Sequence, residues 1–254
     1  MSEKIKFLVM LQARCGSTRL PNKVLKDLCG KPSLQQEIER IQRSKYIDEV
    51  MVVTSINKNN IPIIKLCGNM GIRVGVGSED DVLDRYYQTA RLIKPEYVIR
   101  LTADCPCFDS RLVDDAIDKM PLNIDYCAPI SETLADGLDF EIISYTALEK
   151  AWNEANLSSE REHVTPYIKK HSEIFSLWDY VSPIGNFGNH RWTIDEEEDY
   201  IVVSEIYKHF KNNDFGYEDI IDFLENNKKI MNLNSKYKRN EGYKKSLSVD
   251  KTIK

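Results

Sequence analysis

No run of apolar residues in this 254-residue sequence approaches the roughly 20 that a bilayer-spanning helix requires. Lys4 and Lys6 precede only a short apolar stretch, 7–11, which gives way at once to Gln12, Ala13 and Arg14, so neither a secretory leader nor a membrane anchor is expected. Cysteine is thin as well. Cys15, Cys29, Cys67, Cys105, Cys107 and Cys127 are too sparse and irregular for a disulfide framework and read as reduced thiols of a cytoplasmic protein. Cys105-Pro106-Cys107 has no second cysteine pair or paired histidines to complete a zinc site, which makes small buried side chains the expectation there. A Pro/Gly/Ser-rich linker and an internal repeat are also missing, which leaves a single large domain.

What is present suits a folded α/β chain. Hydrophobic residues make up 42% of the sequence, enough at this length to bury a substantial core and to exclude disorder as the main state. The net charge of -5 is unevenly placed. Residues 235–254 hold seven basic side chains (Lys236, Lys238, Arg239, Lys244, Lys245, Lys251, Lys254) and two acidic ones, a net +5, so the body carries -10. A body that acidic is not expected to bind nucleic acid, and the basic stretch reads as a solvated, flexible tail behind a domain at 1–234.

Strand and helix signals alternate through the first half, the pattern of βαβ units around a mostly parallel sheet. Residues 5–11 are nearly continuous in apolar side chains, as in a strand covered on both faces. A helix opens at Pro32, with Leu34, Ile38 and Ile41 on one face. Strands are expected at 48–55, 72–76, 97–101 and 126–128, and helices at 61–69, 81–93 and 109–120. The second half is less regular. Strands are expected at 138–143, 174–181 and 190–194 and helices at 145–155, 160–170, 197–211 and 217–226, with an excursion from the main domain over 130–185.

Directly after the first strand comes Gln12-Ala13-Arg14-Cys15-Gly16-Ser17-Thr18-Arg19-Leu20-Pro21-Asn22-Lys23. Ligands of open α/β sheets bind outside the carboxyl ends of the strands, so this loop stands where a nucleotide belongs. Its cations Arg14, Arg19 and Lys23, with N–H groups freed around Gly16, can surround a triphosphate. An ordinary solvated loop is the alternative, and the position after the first strand weighs against it. Neither a P-loop nor a dinucleotide fingerprint is present, and Gly75-Val76-Gly77 leads into acidic Glu79-Asp80-Asp81.

Two carboxylates follow other strands. Asp104 in Arg100-Leu101-Thr102-Ala103-Asp104-Cys105-Pro106 and Asp195 in Arg191-Trp192-Thr193-Ile194-Asp195 are hard oxygen donors of the kind that hold Mg²⁺ against phosphates. Each could instead be a helix cap or turn residue. The acids 196–199 are expected to serve only the helix dipole.

At these residues the chain resembles the SpsF-like cytidylyltransferases, named for a spore coat polysaccharide biosynthesis protein, within the superfamily of CMP-sugar-acid synthetases. The resemblance spans 7–206. It is carried by the loop at 12–25, Gly30-Lys31-Pro32, Ile47-Asp48-Glu49-Val50, the block at 77–86, Arg100 to Pro106, Gly137-Leu138-Asp139-x-Glu141, the block at 159–167 and Arg191-Trp192-Thr193-x-Asp195. It implies a Rossmann-like, GT-A-like nucleotidyltransferase fold and a magnesium-dependent transfer of CMP from CTP to a sugar or sugar acid of surface polysaccharide. Arg14, Arg19 and Lys23, assisted by Ser17 and Thr18, would hold the CTP phosphates. Leu11, Gln12, Ala13, Gly16, Thr54, Ser55, Asp80, Arg100, Thr102 and Ala103 would complete the nucleotide site, and Asp104 and Asp195 would be catalytic and would bind the metal. It also implies a homodimer, through the region 160–185. Asn22 stands where this loop usually has glycine, Ser33 where a large apolar residue is common, and Cys107 where leucine is common.

The acceptor is expected beside Asp139, Glu141, Arg161, His163 and Arg191. Arg161 and Arg191 could hold a carboxylate bidentately or pair with nearby acids, and His163 could equally be a packed histidine. A nucleotide-sugar glycosyltransferase is one rival, although the short Asp-x-Asp motif common in such enzymes is replaced at Asp104 by Cys105-Pro106. A non-catalytic nucleotide-binding module is another, and it would predict loss of the two carboxylates.

Overall fold

A computed structural model describes residues 5–253. Lys4, read above as a cation before the first strand, and Lys254, counted in the basic stretch, lie outside them. In chain order the elements are β1 (Phe7–Gln12), a small hairpin β2 (Asp27–Leu28) and β3 (Lys31–Pro32), α1 (Ser33–Ile41), β4 (Glu49–Ser55), α2 (Ile61–Asn69), β5 (Arg73–Gly77), α3 (Val82–Ile93), β6 (Tyr97–Thr102) and α4 (Ser110–Lys119). Then come β7 (Tyr126–Ala128), β8 (Glu141–Ser144), α5 (Tyr145–Glu154), α6 (Ser158–His163), α7 (Pro166–Lys170) and β9 (Leu177–Asp179). The described chain ends with α8 (Glu197–Phe210), α9 (Tyr217–Asn226), α10 (Lys228–Met231) and α11 (Glu241–Ser248).

Seven strands form one sheet in the order β5-β4-β1-β6-β8-β7-β9, and among them β8 alone runs against the rest. Alternation along β1 explains the layers, because successive side chains of a strand point to opposite faces. Val9 and Leu11 pack with Leu34 and Ile38 of α1, Leu112 of α4 and Val202 of α8. Leu8 and Met10 pack with Leu83 and Tyr86 of α3 and Leu148 of α5. Each such side chain, once fully buried, contributes about 1.5–3 kcal/mol. The sheet is therefore covered on both faces, and ligands are left its edges and strand ends.

The expected helix at 160–170 is two helices. Val164 takes φ 72, a left-handed backbone that a β-branched residue rarely adopts, and Pro166 begins a new helix two residues later. The strand expected at 174–181 shrinks to Leu177–Asp179, and that at 190–194 is a single bridge between Asp136 and Arg191. Gly137 forces that segment into place. At φ 111 its missing Cβ leaves room for Trp192 and Thr193, whose backbone atoms would lie 2.8 Å from any Cβ. Residues 235–253, read from the sequence as solvated tail, follow an ordered course through α11 and back to α6.

Candidate active site

β1 and β6 are adjacent and parallel, with Gln12 opposite Thr102, so the loop leaving β1 and the turn leaving β6 emerge side by side. The loop is fastened from within. Cys15 N–H donates to buried Asn60 Oδ1 at 2.8 Å, Leu20 N–H donates to Ser17 Oγ at 3.2 Å, and Leu20 and Val24 are buried beneath it. Asn22 adopts φ 57, the left-handed turn for which asparagine is a workable replacement for glycine. Lys23 then begins a single 3₁₀ turn that aims its side chain inward.

Its ammonium lies 2.5 Å from Asp104 Oδ2 and 2.5 Å from Asp195 Oδ1. Burial alone would lower the Lys23 pKa, but the two carboxylates more than offset this and hold it above the ordinary value. Burial likewise opposes the charge on Asp104, and Lys23 overcomes it, keeping that carboxyl well below the usual range. A backbone clamp joins the two acids: Ile194 N–H donates to Asp104 O at 2.7 Å and Thr193 Oγ1 donates to the same oxygen at 3.1 Å. Asp195 is not the cap of α8. Glu196 is the cap, and Asp199 inside the first turn reaches back to accept from the N–H groups of Asp195 and Glu196 at 3.1 and 3.0 Å, which leaves the Asp195 carboxylate for the site. The run 196–199 thus contains a structural acid that its composition did not reveal.

Around this pair opens a cleft of about 680 Å³, a size suited to a small-molecule site. Gln12, Arg14, Gly16, Ser17, Thr18, Arg19, Arg100, Thr102 and Ala103 line it. Arg19 pairs with Asp195 at 3.1 Å and Glu196 at 3.0 Å, whereas Arg14 is exposed and makes no ion pair among the described residues. A second hollow of about 440 Å³, at the amino ends of β6 and β7, gathers no comparable set. Burial raises the Cys105 thiol far above its ordinary pKa, with Asp104 and Glu37 adding to it, so Cys105 is a packed thiol here.

Several expected residues stand apart from the cleft. Leu11, Ala13, Thr54 and Ser55 are buried in or beside the strands, and Ser55 Oγ accepts from Asn60 Nδ2 at 2.7 Å. Asp80 is exposed on the turn before α3 and does not line the cleft. Arg161 is buried against α3, bidentate to the capping Asp81 with its shortest bond 2.7 Å.

The expected acceptor residues that do line it are Asp139, Glu141, His163 and Arg191. Glu141 faces Arg100 across the β6–β8 ladder and pairs with it. It also accepts from Tyr126 Oη and Thr165 Oγ1 at 2.6 Å and pairs with Lys169 at 3.3 Å. Burial would raise this carboxyl, but Lys169, Arg100, Thr165 and Tyr126 bring it down to about 2. Arg191 is committed to Asp136 and, through Nε and Nη2 at 2.9 Å, to Asp199. Burial lowers the pKa of His163, with Glu162 opposing. The cleft also takes in Lys238, Arg239 and Tyr243 from the stretch read as a tail. Only their basic composition was visible in the sequence, with no periodicity to place them.

The fold is that of the nucleotidyltransferases. A cytidylyltransferase of Leptospira borgpetersenii serovar Hardjo-bovis superposes on it with a TM-score of 0.83 at 30% identity, over 90% of this chain and 96% of that one. Residues 8–246 match the family model described as cytidylyltransferase, and the chain belongs to that family. It is 32% identical over 234 residues to the spore coat polysaccharide biosynthesis protein SpsF of Bacillus subtilis, covering 87% of this chain and 94% of that protein. An uncharacterised protein of Methanocaldococcus jannaschii is 37% identical, over 91% of this chain and 95% of its own.

Proposed function

We propose that the chain transfers CMP from CTP to a sugar, sugar-acid or phosphorylated acceptor in the assembly of a surface polysaccharide or glycoconjugate, releasing pyrophosphate. The observation that carries this reading is the convergence of Asp104 and Asp195 on one cationic point inside the cleft, beside the loop of Arg14 and Arg19. In the transfer, an acceptor oxygen forms a bond to the α-phosphorus and the bond from that phosphorus to the bridging oxygen breaks. The electron pair leaves with pyrophosphate, and a hydroxyl proton from the acceptor passes to solvent. Arg14, Arg19 and Lys23 would hold the phosphates in line and offset the charge that moves onto the leaving oxygen. Gln12, Thr102 and Ala103 would line the bound nucleotide.

Asp104 and Asp195 would hold Mg²⁺. Two carboxylates that meet at one point match an ion that takes one or two carboxylates and fills its shell with water and phosphate oxygens, and Lys23, which bridges them here, would have to turn from them toward the phosphates. Magnesium, when bound, would supply further neutralisation of the reacting phosphates. A homodimer and a cytoplasmic location belong to the same proposal. The free cysteines support the location, and exposed Ile174, Val181 and Ile184 near 160–185 support the dimer. Among the described residues no helix is long and apolar enough to cross a membrane.

The test is pyrophosphate release with Mg²⁺, each of four nucleoside triphosphates, and a panel of sugar phosphates and sugar acids. CTP with one acceptor should give turnover, and Asp104→Asn should lower it about a hundredfold or more while CTP still binds. A protein that does not bind CTP, or an Asp104→Asn variant with an unchanged rate, would defeat the reading.

A further inference from the structure

The basic C-terminal stretch has no role in the reaction proposed above, yet it is built into the cleft. Arg239 Nη2 donates to Leu134 O and to Asp139 Oδ2, both at 3.0 Å, and Asn240 Nδ2 donates to Glu132 Oε1 at 2.8 Å. Tyr243 meets the His163 ring edge to face with centroids 5.0 Å apart, and Ser246 Oγ lies 3.0 Å from His163 Nε2. Asp250 fastens the end to α6, accepting from Ser158 Oγ and Ser159 N at 2.9 Å and from Ser159 Oγ at 2.6 Å. A solvated tail makes none of these bonds.

Arg239 stands out among the arginines of the cleft. Arg191 spends its guanidinium on Asp136 and Asp199, and Arg100 pairs with Glu141 and leaves only its Nε without an acceptor. Arg239 keeps Nε and Nη1 sheltered from solvent without a hydrogen-bond acceptor, and the carboxylate nearest Nε, Asp136 Oδ1, is 3.9 Å away. Guanidinium N–H groups withdrawn from water in this way lack an oxyanion, which their planar fork is shaped to take. Lys238, exposed on the same stretch, and Lys169 add positive charge to the cleft lining. Asp136 is already ion-paired with Arg191, and Asp139 takes only Nη2 of Arg239, so Nε and Nη1 are not spent on it.

We infer that residues 236–253 form the acceptor-reading wall of the cleft, and that Arg239 is its specificity residue for an acceptor bearing an oxyanion, the carboxylate of a sugar acid or the phosphate of a sugar phosphate. The inference rests on the transferase reading and assigns the residues that read the acceptor's charged group, which that reading leaves open.

The experiment uses the full chain, ¹⁵N-labelled at arginine and histidine and saturated with CTP so that the nucleotide loop is blocked. Gluconate, glucose 6-phosphate and uncharged sorbitol are titrated in turn. The Arg239 Nε–H signal, assigned by its loss in Arg239→Lys, should move saturably with at least one anion and stay in place with sorbitol, and the tighter anion identifies the group that is read. In Arg239→Gln the affinity for that anion, followed on the His163 ring signals, should fall about tenfold or more. Arg239→Lys, which keeps the charge and loses the fork, should fall between. CTP affinity within about twofold of wild type in both variants shows that the fold stands. An Arg239 signal that neither anion moves, or an anion affinity unchanged in Arg239→Gln, overturns the inference and leaves the nucleotide reading intact. Wild-type protein that fails to bind CTP overturns both.

Discussion

Lys23 is shared by two carboxylates and is largely shielded from water, so removing it leaves two like charges facing each other. Breaking a buried pair in this way costs about 3 kcal/mol or more. Lys23→Met should therefore lower Tm, and adding Asp104→Asn to it should recover part of the loss instead of adding to it. Its kcat/KM for pyrophosphate release should fall about a hundredfold, and a near-normal value would remove Lys23 from the machinery. Glu141 makes a different prediction. Its folded pKa of about 2 lies below its unfolded value, so its contribution is present above the unfolded pKa and is lost as pH falls toward 2. That contribution is roughly 3 kcal/mol by linkage. Urea unfolding of Glu141→Gln should show it destabilised against wild type at pH 6, with most of the gap closed near pH 2.

At the scale of elements, the first half of the sequence was legible because each strand and helix there follows one hydrophobic period. The helix expected at 61–69 is α2 to the residue, and Leu34, Ile38 and Ile41 of α1 are all buried, as their spacing indicated. The loop after β1 was legible for a topological reason, since strand ends are where such sheets bind ligands. The second half was harder to read. Its strands are short, Val164 breaks a helix through a backbone angle that no composition signals, and the Trp192 segment is held by hydrogen bonds to residues about 50–90 positions away. Arg161 shows the limit of residue type as a guide. From the sequence it could either hold an acceptor or pair with a nearby acid, and it is the clamp of α6 onto the cap of α3. Arg161→Ala should cost roughly 3 kcal/mol in thermal unfolding while CTP affinity measured below Tm stays unchanged; a weakened nucleotide site in a fully folded variant would contradict that division of labour.

Across the whole molecule, Ile174, Val181 and Ile184 each expose apolar surface on the excursion. If the proposed dimer uses that face, light scattering should give twice the chain mass, and Val181→Glu should return the protein to the mass of one chain with CTP binding retained. An unchanged dimer would move the interface elsewhere. The site itself is assembled over long distances along the chain. Lys23 meets Asp104 across 81 residues and Asp195 across 172. At ribosomal rates the second interval takes roughly 10–30 s, during which the loop is already made but its partner acid is not. A nascent or prematurely terminated chain that stops short of residue 195 therefore carries the cations of the loop without the second acid that balances them. If these residues carry the proposed transfer, the activity would switch on only once most of the polypeptide has been made, and partial products would stay silent.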